Sequence, residues 1–323
     1  MTSAALSVFA SIPSPDVSSI SLGPLTIYFY ALCILLGIVV ATLWTNQRLT
    51  RRGAEPWVVI DIALIAVPLA IIGARIFHVV THPGFYFGED KDFWAIFRIW
   101  EGGIAIFGAL IGGAIGAWLG CKWTGIRFWS FADALAPGLL LAQALGRFGN
   151  WFNQELYGLP TDLPWGLEID YPNAAWPAGL PEGTLFHPTF LYEVIWNVMG
   201  VCVLVWAGRR FGLQWGRLFG LYLAWYSAGR IVWESIRIDP SEVFFGLRTN
   251  VWAAVFGVVV GLAIFFVQRR RHLGAEPSPY QRGREWSAPG AVQSQEADDF
   301  VDVSAPPTSE ASSDQATSSV TTR

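Results

Sequence analysis

The sequence predicts an all-α polytopic membrane protein of about seven transmembrane helices, and three observations carry that prediction. Of 323 residues, 53% are hydrophobic and only 14% are charged, whereas a soluble domain carries about 25% charged residues. The apolar residues fall in blocks of about 20, the length that crosses roughly 30 Å of hydrocarbon. These blocks lack the alternation of barrel strands. A backbone in lipid must satisfy its own hydrogen bonds, so helices are the form to expect. The net charge of −4 says little, because the C-terminal stretch supplies much of the acid.

Taken in order, residues 1–22 hold no Lys or Arg and are broken by serines and prolines. They do not read as a signal peptide, so the first apolar block is expected to remain as a helix. Spans are expected at 24–44, 57–80, 102–120, 128–146, 189–208, 216–235 and 250–268, each long enough to cross with some tilt. The second carries Arg75 and the sixth carries Arg230 and Glu234, so neither is a plain lipid-facing cylinder. In the third, Gly108, Gly112, Gly116 and Gly120 recur every fourth residue, a ridge that lets another helix approach closely. Cys33, Cys121 and Cys202 are far apart and show no metal or disulfide spacing. No cofactor or metal site is expected, and nothing points to nucleic acid. From His272 onward the composition turns to Ser, Thr, Pro, Glu and Gln, so 272–323 is expected to be a disordered tail behind a membrane domain of 1–271.

Orientation follows from the basic residues of the loops. Arg48, Arg51 and Arg52, then Lys122 and Arg127, then Arg209, Arg210 and Arg217, then Arg269, Arg270 and Arg271 all fall on one side. That side is expected to be cytoplasmic, with the N-terminus outside and the C-terminus inside. The loop 150–188 is acidic beyond its first residues, with Glu155, Asp162, Glu168, Asp170 and Glu182, and is expected to form a small external domain between helices four and five.

Ionisable groups inside or beside membrane spans are costly, which makes those that remain candidates for function. Outer-side bases are Arg75, Lys91, Arg98, Arg147, Arg230, Arg237 and Arg248. Arg147 and Asn150 share a helix face at i, i+3, flanked by Gly146 and Gly149. A guanidinium fork beside an amide suits a phosphate; an interfacial arginine reaching for lipid headgroups fits equally. Arg230, Glu234 and Arg237 stack at spacings of four and three. Two cations against one carboxylate favour an anionic partner, against the reading that the three merely pin the helix. Tyr30 fits either an aromatic belt or a site. His187, before Pro188, fits either a helix start or a base. No HExxH, GxSxG or P-loop is present.

Several ordered segments resemble the prolipoprotein diacylglyceryl transferase family of bacteria over about 22–271. The most specific is Gly146-Arg147-Phe148-Gly149-Asn150-Trp151-Phe152-Asn153-Gln154-Glu155-Leu156-Tyr157-Gly158. Gly23-Pro24 with Tyr30, Trp100-Glu101-Gly102-Gly103, Phe131-Ala132-Asp133, His187 to Glu193 and Arg230 to Glu234 support it. The resemblance implies a multi-pass protein of the bacterial cytoplasmic membrane whose partners are phosphatidylglycerol, membrane lipids and prolipoprotein signal peptides with a lipobox cysteine. It implies transfer of the diacylglyceryl group to that thiol, forming a thioether and releasing glycerol 1-phosphate. Arg147, Asn150, Glu155, Arg230, Glu234 and Tyr30 fall on positions the family uses.

On this reading Arg147 and Arg230 face the phosphate and Glu234 holds Arg230. Asn150, Asn153, Glu155, His187 and Arg237 contribute to the headgroup site, and Tyr30 donates a hydrogen bond near the reacting centre. One departure stands out. Many relatives carry a histidine of a His-Gly-Gly motif, a proposed base, where this chain has Phe107. Either Tyr30, Glu155 or His187 replaces it, or the arginine field acidifies the thiol without a dedicated base, the reading preferred here. The alternative class is a non-catalytic membrane protein that binds or transports anionic lipid through the same arginines.

Overall fold

The computed structural model describes residues 11–287, apart from 24, 89, 90, 174, 240 and 242. Seven long helices dominate: α1 (Phe29–Thr50), α2 (Val58–Thr81), α3 (Ile106–Thr124), α4 (Phe128–Phe152), α5 (Thr189–Phe211), α6 (Arg217–Ile236) and α7 (Thr249–Arg271). All but α6 are long and apolar enough to cross a membrane. Arg217, Arg230 and Glu234 lower the apolar character of α6, so the sixth expected span, 216–235, is a helix of spanning length without spanning composition. Large apolar side chains such as Leu35, Ile72, Leu110 and Phe256 lie exposed around the bundle, as they should where the solvent is hydrocarbon. The chain is a multi-pass membrane protein.

Helix starts differ from the sequence reading for local reasons. Strand β1 (Ser19–Leu22) pairs with β2 (Leu25–Tyr28), Ser19 opposite Tyr28, so α1 begins at Phe29 instead of 24. Residues 93–105, partly expected in the third span, form 3-10 turns and an extended stretch, and α3 begins only at Ile106. Gly102 and Gly103 turn the chain there with φ of 91° and 72°. Buried Arg75 fastens that loop, donating to the carbonyls of Ala95, Ile96, Gly102 and Gly103 at 2.5–2.9 Å. By contrast α4 runs on to Phe152, which takes Arg147 and Asn150 into regular helix.

Close packing rests on small residues. The α3 ridge lies against α2: a Cβ on Gly116 would come within 2.6 Å of Ala66 Cα, and one on Gly120 within 2.9 Å of Ile62 Cα. The helix α4 is central, with more than half of its apolar stretch buried against a third or less in the other five candidate spans. It packs on α1, α5 and α6, while α6 also packs on α5 and α7. Asp133 of α4, fully buried, accepts from the backbone N–H groups of Gly216 and Phe219 at 2.8 Å each. That carboxylate caps the start of α6 from a neighbouring helix and fixes the level of every residue along it.

Between α4 and α5, residues 153–188 form a small irregular unit around Tyr157, Leu167, Ile169 and Phe186, all buried. A short hairpin, β3 (Val243–Phe244) with β4 (Leu247–Arg248), joins α6 to α7.

The first residues of the stretch expected as tail from His272 are docked on the bundle. Tyr280 is buried among Leu49, Ile62, Cys121 and Ile126, and its hydroxyl accepts from the Glu55 N–H at 2.9 Å. The Glu276 carboxylate accepts from Ser130 Oγ at 2.5 Å and faces Arg52 and Arg127, each 3.8 Å away. Arg284 donates to the carbonyls of Lys122 and Trp123. One aromatic ring and one carboxylate fitting ready-made partners are enough to dock this polar segment. Residues 288–323, where the disordered tail is expected to continue, lie outside the described residues.

Candidate active site

The helices α4, α5 and α6 bring their far ends, opposite the arginine-rich turns, into one cluster. Arg147 of α4 donates from Nη1 to Asn150 Oδ1 at 3.1 Å and pairs through Nη2 with Glu193 of α5 at 2.6 Å. Arg230 of α6 donates from Nη2 to Glu234 at 2.5 Å, and its Nη1 lies 3.5 Å from the same Glu193 oxygen. That Nη1 is buried and has no hydrogen-bond partner. A buried donor without a hydrogen bond costs about 1–3 kcal/mol, so this nitrogen, held only by the longer ion pair with Glu193, can take an acceptor.

The second half of the cluster supports the first. Glu234 is fully buried and receives Arg230, Arg237 Nη1 at 3.2 Å and Asn250 Nδ2 at 2.9 Å, with Arg248 Nε at 3.6 Å. Arg237 commits its remaining nitrogens to Asp239 at 2.7 and 2.8 Å. Placed with the headgroup residues by the sequence, it is in fact fully engaged with Glu234 and Asp239 and buttresses the site. Burial pushes the Asp239 carboxyl up, but the Arg237 hydrogen bonds and the charges of Arg237 and Arg248 outweigh it and hold the group below its ordinary range.

At the end of α4, Asn150 Nδ2 donates to Glu155 Oε1 at 2.8 Å, and Asn153 Nδ2 reaches the same oxygen at 3.5 Å. The backbone doubles back through Gln154 and Leu156, both at positive φ, which returns Glu155 towards Asn150. Gln154 then ties the turn to the 153–188 unit, exchanging hydrogen bonds with Asp170. Tyr30 comes from α1 and its ring packs close against Gly149, where any Cβ would collide with it. Its hydroxyl has no hydrogen-bond partner among the described residues. The ring thus sits beside the Arg147–Asn150 turn with a free polar end.

Two further positions were singled out by the sequence, the candidate His187 and the departure at Phe107. His187 Nδ1 lies 3.1 Å from the Tyr192 hydroxyl, and its backbone packs against Gly158 and Leu159. Among the described residues its hydrogen bonds go to these partners and not to Arg147 or Arg230. Phe107 opens α3 and faces Phe77 of α2, ring centroids 6.2 Å apart.

Sequence reasoning gave no role to Glu193, Arg248, Asp239 or Asn250. Glu193 and Asn197 are both buried on α5, four residues apart, and that polar pair on an apolar helix was a legible sign of an inward face. Asn250 carries no such sign. Nor does the lock that sets α5 against α6: Trp196 and Trp225 stack at 4.5 Å, each donating its Nε1–H to the other's carbonyl at 3.1 Å.

Chemically, two guanidinium groups from different helices face a common point, backed by carboxylates and shielded from water. Such an arrangement binds a phosphate and stabilises charge that develops on it. Among the described residues no group of His, Cys, Asp and Glu is placed to hold a metal ion.

Comparison with known proteins places the chain in a family. Residues 17–267 match the family described as prolipoprotein diacylglyceryl transferase. A phosphatidylglycerol–prolipoprotein diacylglyceryl transferase of Leifsonia xyli subsp. xyli is 62% identical over 301 residues, covering 90% of each chain. Proteins of the same name from Bifidobacterium adolescentis and Paenarthrobacter aurescens are 48% and 49% identical; the alignments cover 80% of this chain and 80% and 84% of theirs. With a family match over most of its length and relatives this similar, the chain belongs to the prolipoprotein diacylglyceryl transferase family.

Proposed function

We propose that this protein transfers the diacylglyceryl group of phosphatidylglycerol to the lipobox cysteine of prolipoproteins in the bacterial cytoplasmic membrane. The observation that carries the reading is the convergence of Arg147 and Arg230, from α4 and α6, on one point beside Glu193, where the buried Arg230 Nη1 has no hydrogen bond. The relatives' names supply the substrates. The positive-inside distribution supports an outside N-terminus, a cytoplasmic C-terminus and an external 153–188 unit. In that arrangement α6 is the sixth of seven spans, with Arg230 and Glu234 met inside the bundle by α5 and the start of α7.

In the reaction the cysteine thiolate attacks the glyceryl carbon that bears the phosphate. A C–S bond forms as the C–O bond breaks, and glycerol 1-phosphate leaves with the electron pair. Arg147 and Arg230 hold the phosphodiester and stabilise the charge that the leaving group gains, an effect strengthened in a low-dielectric site. Glu234 fixes Arg230, while Arg237, Arg248 and Asn250 fix Glu234. Asn150, steadied by Glu155 and near Asn153, orients the headgroup, and Tyr30 offers its free hydroxyl to the reacting oxygens. His187 shapes the rim through Gly158. Phe107 accepts no proton, so the thiol is acidified by the arginine field and its proton passes to solvent or to the departing phosphate.

Purified protein supplied with phosphatidylglycerol and a lipobox peptide tests this. Arg147→Ala and Arg230→Ala are each expected to lower transfer by about 10²–10³ while the protein stays folded. Undiminished transfer in both variants contradicts the assignment. A protein that retains phosphatidylglycerol yet releases no glycerol phosphate is a lipid binder instead.

A further inference from the structure

Arg147 and Arg230 share one carboxylate oxygen. Glu193 Oε2 on α5 lies 2.6 Å from Arg147 Nη2 and 3.5 Å from Arg230 Nη1, and its side chain is 4% exposed. Nothing in the transfer reaction calls for a carboxylate there. A buried anion beside the place of an anionic phosphodiester opposes substrate binding. Its presence therefore needs a reason.

The geometry supplies one. Arg147 commits Nη1 to Asn150, and Arg230 commits Nη2 to Glu234. The nitrogens left to face each other across the site are those that Glu193 meets. Without it, two buried cations on adjacent helices would stand unscreened. The reciprocal Trp196–Trp225 bonds fix α5 against α6 one turn along from Glu193, so the carboxylate is held at this point by the helix pair.

We propose that Glu193 is the resident counter-ion of the phosphate site. It holds Arg147 and Arg230 in register while the site is empty, and it competes with the departing glycerol phosphate for the same guanidinium edges. The proposal rests on the transferase reading above. The leaving group changes from a monoanionic diester to a monoester carrying about −1.5 to −2 charges near neutral pH, so bare arginines would hold product more tightly than substrate. A carboxylate tethered on the neighbouring helix returns at high effective concentration and displaces it. Glu193 is accordingly a positioning residue, since it acts through the two arginines.

The test is calorimetric titration of the full-length protein in lipid nanodiscs with glycerol 1-phosphate, alongside Glu193→Gln and Glu193→Asp. Glu193→Gln is expected to bind glycerol 1-phosphate about tenfold more tightly, with a lower kcat and a KM for phosphatidylglycerol that is unchanged or smaller. Glu193→Asp keeps the charge but is one methylene too short to span both arginines. It is expected to fold even where the glutamine variant does not, and to bind about threefold more tightly. Wild-type Kd in either folded variant overturns the proposal, because a residue that merely stabilises the fold would change the thermal midpoint and leave Kd alone. Failure of the transferase reading would look different: the wild-type protein would make no thioether, whatever the two Kd values are.

Discussion

Arg230 spends one guanidinium nitrogen on Glu234 and leaves the other without a hydrogen bond, and on the proposed reading the second meets the phosphate. The hydrogen-bonded nitrogen fixes the side chain, and the other, 3.5 Å from Glu193, can take an acceptor. Arg147 engages both of its terminal nitrogens, one with Asn150 and one with Glu193. Phe107 matters at this scale for what it lacks. A histidine base would give the peptide kcat/KM an inflection near its ordinary pKa of about 6.5. With phenylalanine there, the profile should climb with pH through one ionisation, that of the thiol. Its midpoint should fall below the ordinary thiol value of about 8.5, because neighbouring arginine charge favours the thiolate. Initial rates between pH 5.5 and 9 check this. A limb that titrates like imidazole, lost in His187→Gln, would place a base at His187.

At the scale of elements, the site depends on helices brought close by small residues and held in register by buried polar locks. On α3, a Cβ at Gly112 would collide with the Leu69 carbonyl of α2. Gly112→Ala is therefore expected to cost about 1–3 kcal/mol through overpacking, read as a lower thermal midpoint in detergent. An unchanged midpoint would mean that the helix pair yields freely. That ridge was legible from its four-residue spacing, as were the apolar helices and the Arg147–Asn150 face. The β1–β2 hairpin and the late start of α3 were not, since both lie in apolar sequence where hydropathy alone does not separate strand or loop from helix. The Arg75 clasp on the loop before α3 and the Asp133 cap on α6 were also hidden. Each joins residues 20 or more positions apart, and single-sequence patterns register only near neighbours. The site was half visible for the same reason: Arg230–Glu234 is an i, i+4 pair, whereas Glu193 meets its arginines across three helices.

For the whole molecule, the two ends of the bundle carry separate tasks. Residues 276–284 bind the turns at the arginine-rich end together, while about 25 Å of α4 separates Ser130 from Arg147 at the usual helical rise. Truncation after Arg271 removes the Tyr280 anchor, whose burial is worth about 2–3 kcal/mol, and leaves Arg52 and Arg127 without Glu276. The thermal midpoint should drop while transfer per folded molecule stays unchanged; loss of transfer without loss of stability would show the two ends to be coupled. All of this presupposes the reaction itself. The most direct measurement incubates the wild-type protein with phosphatidylglycerol and a lipobox peptide, and follows peptide mass and released glycerol 1-phosphate together. A gain of one diacylglyceryl group per peptide, matched mole for mole by glycerol 1-phosphate and abolished when the peptide cysteine is alanine, is the predicted result. Retained phosphatidylglycerol with no thioether formed would contradict it and leave the two arginines as a lipid-binding site.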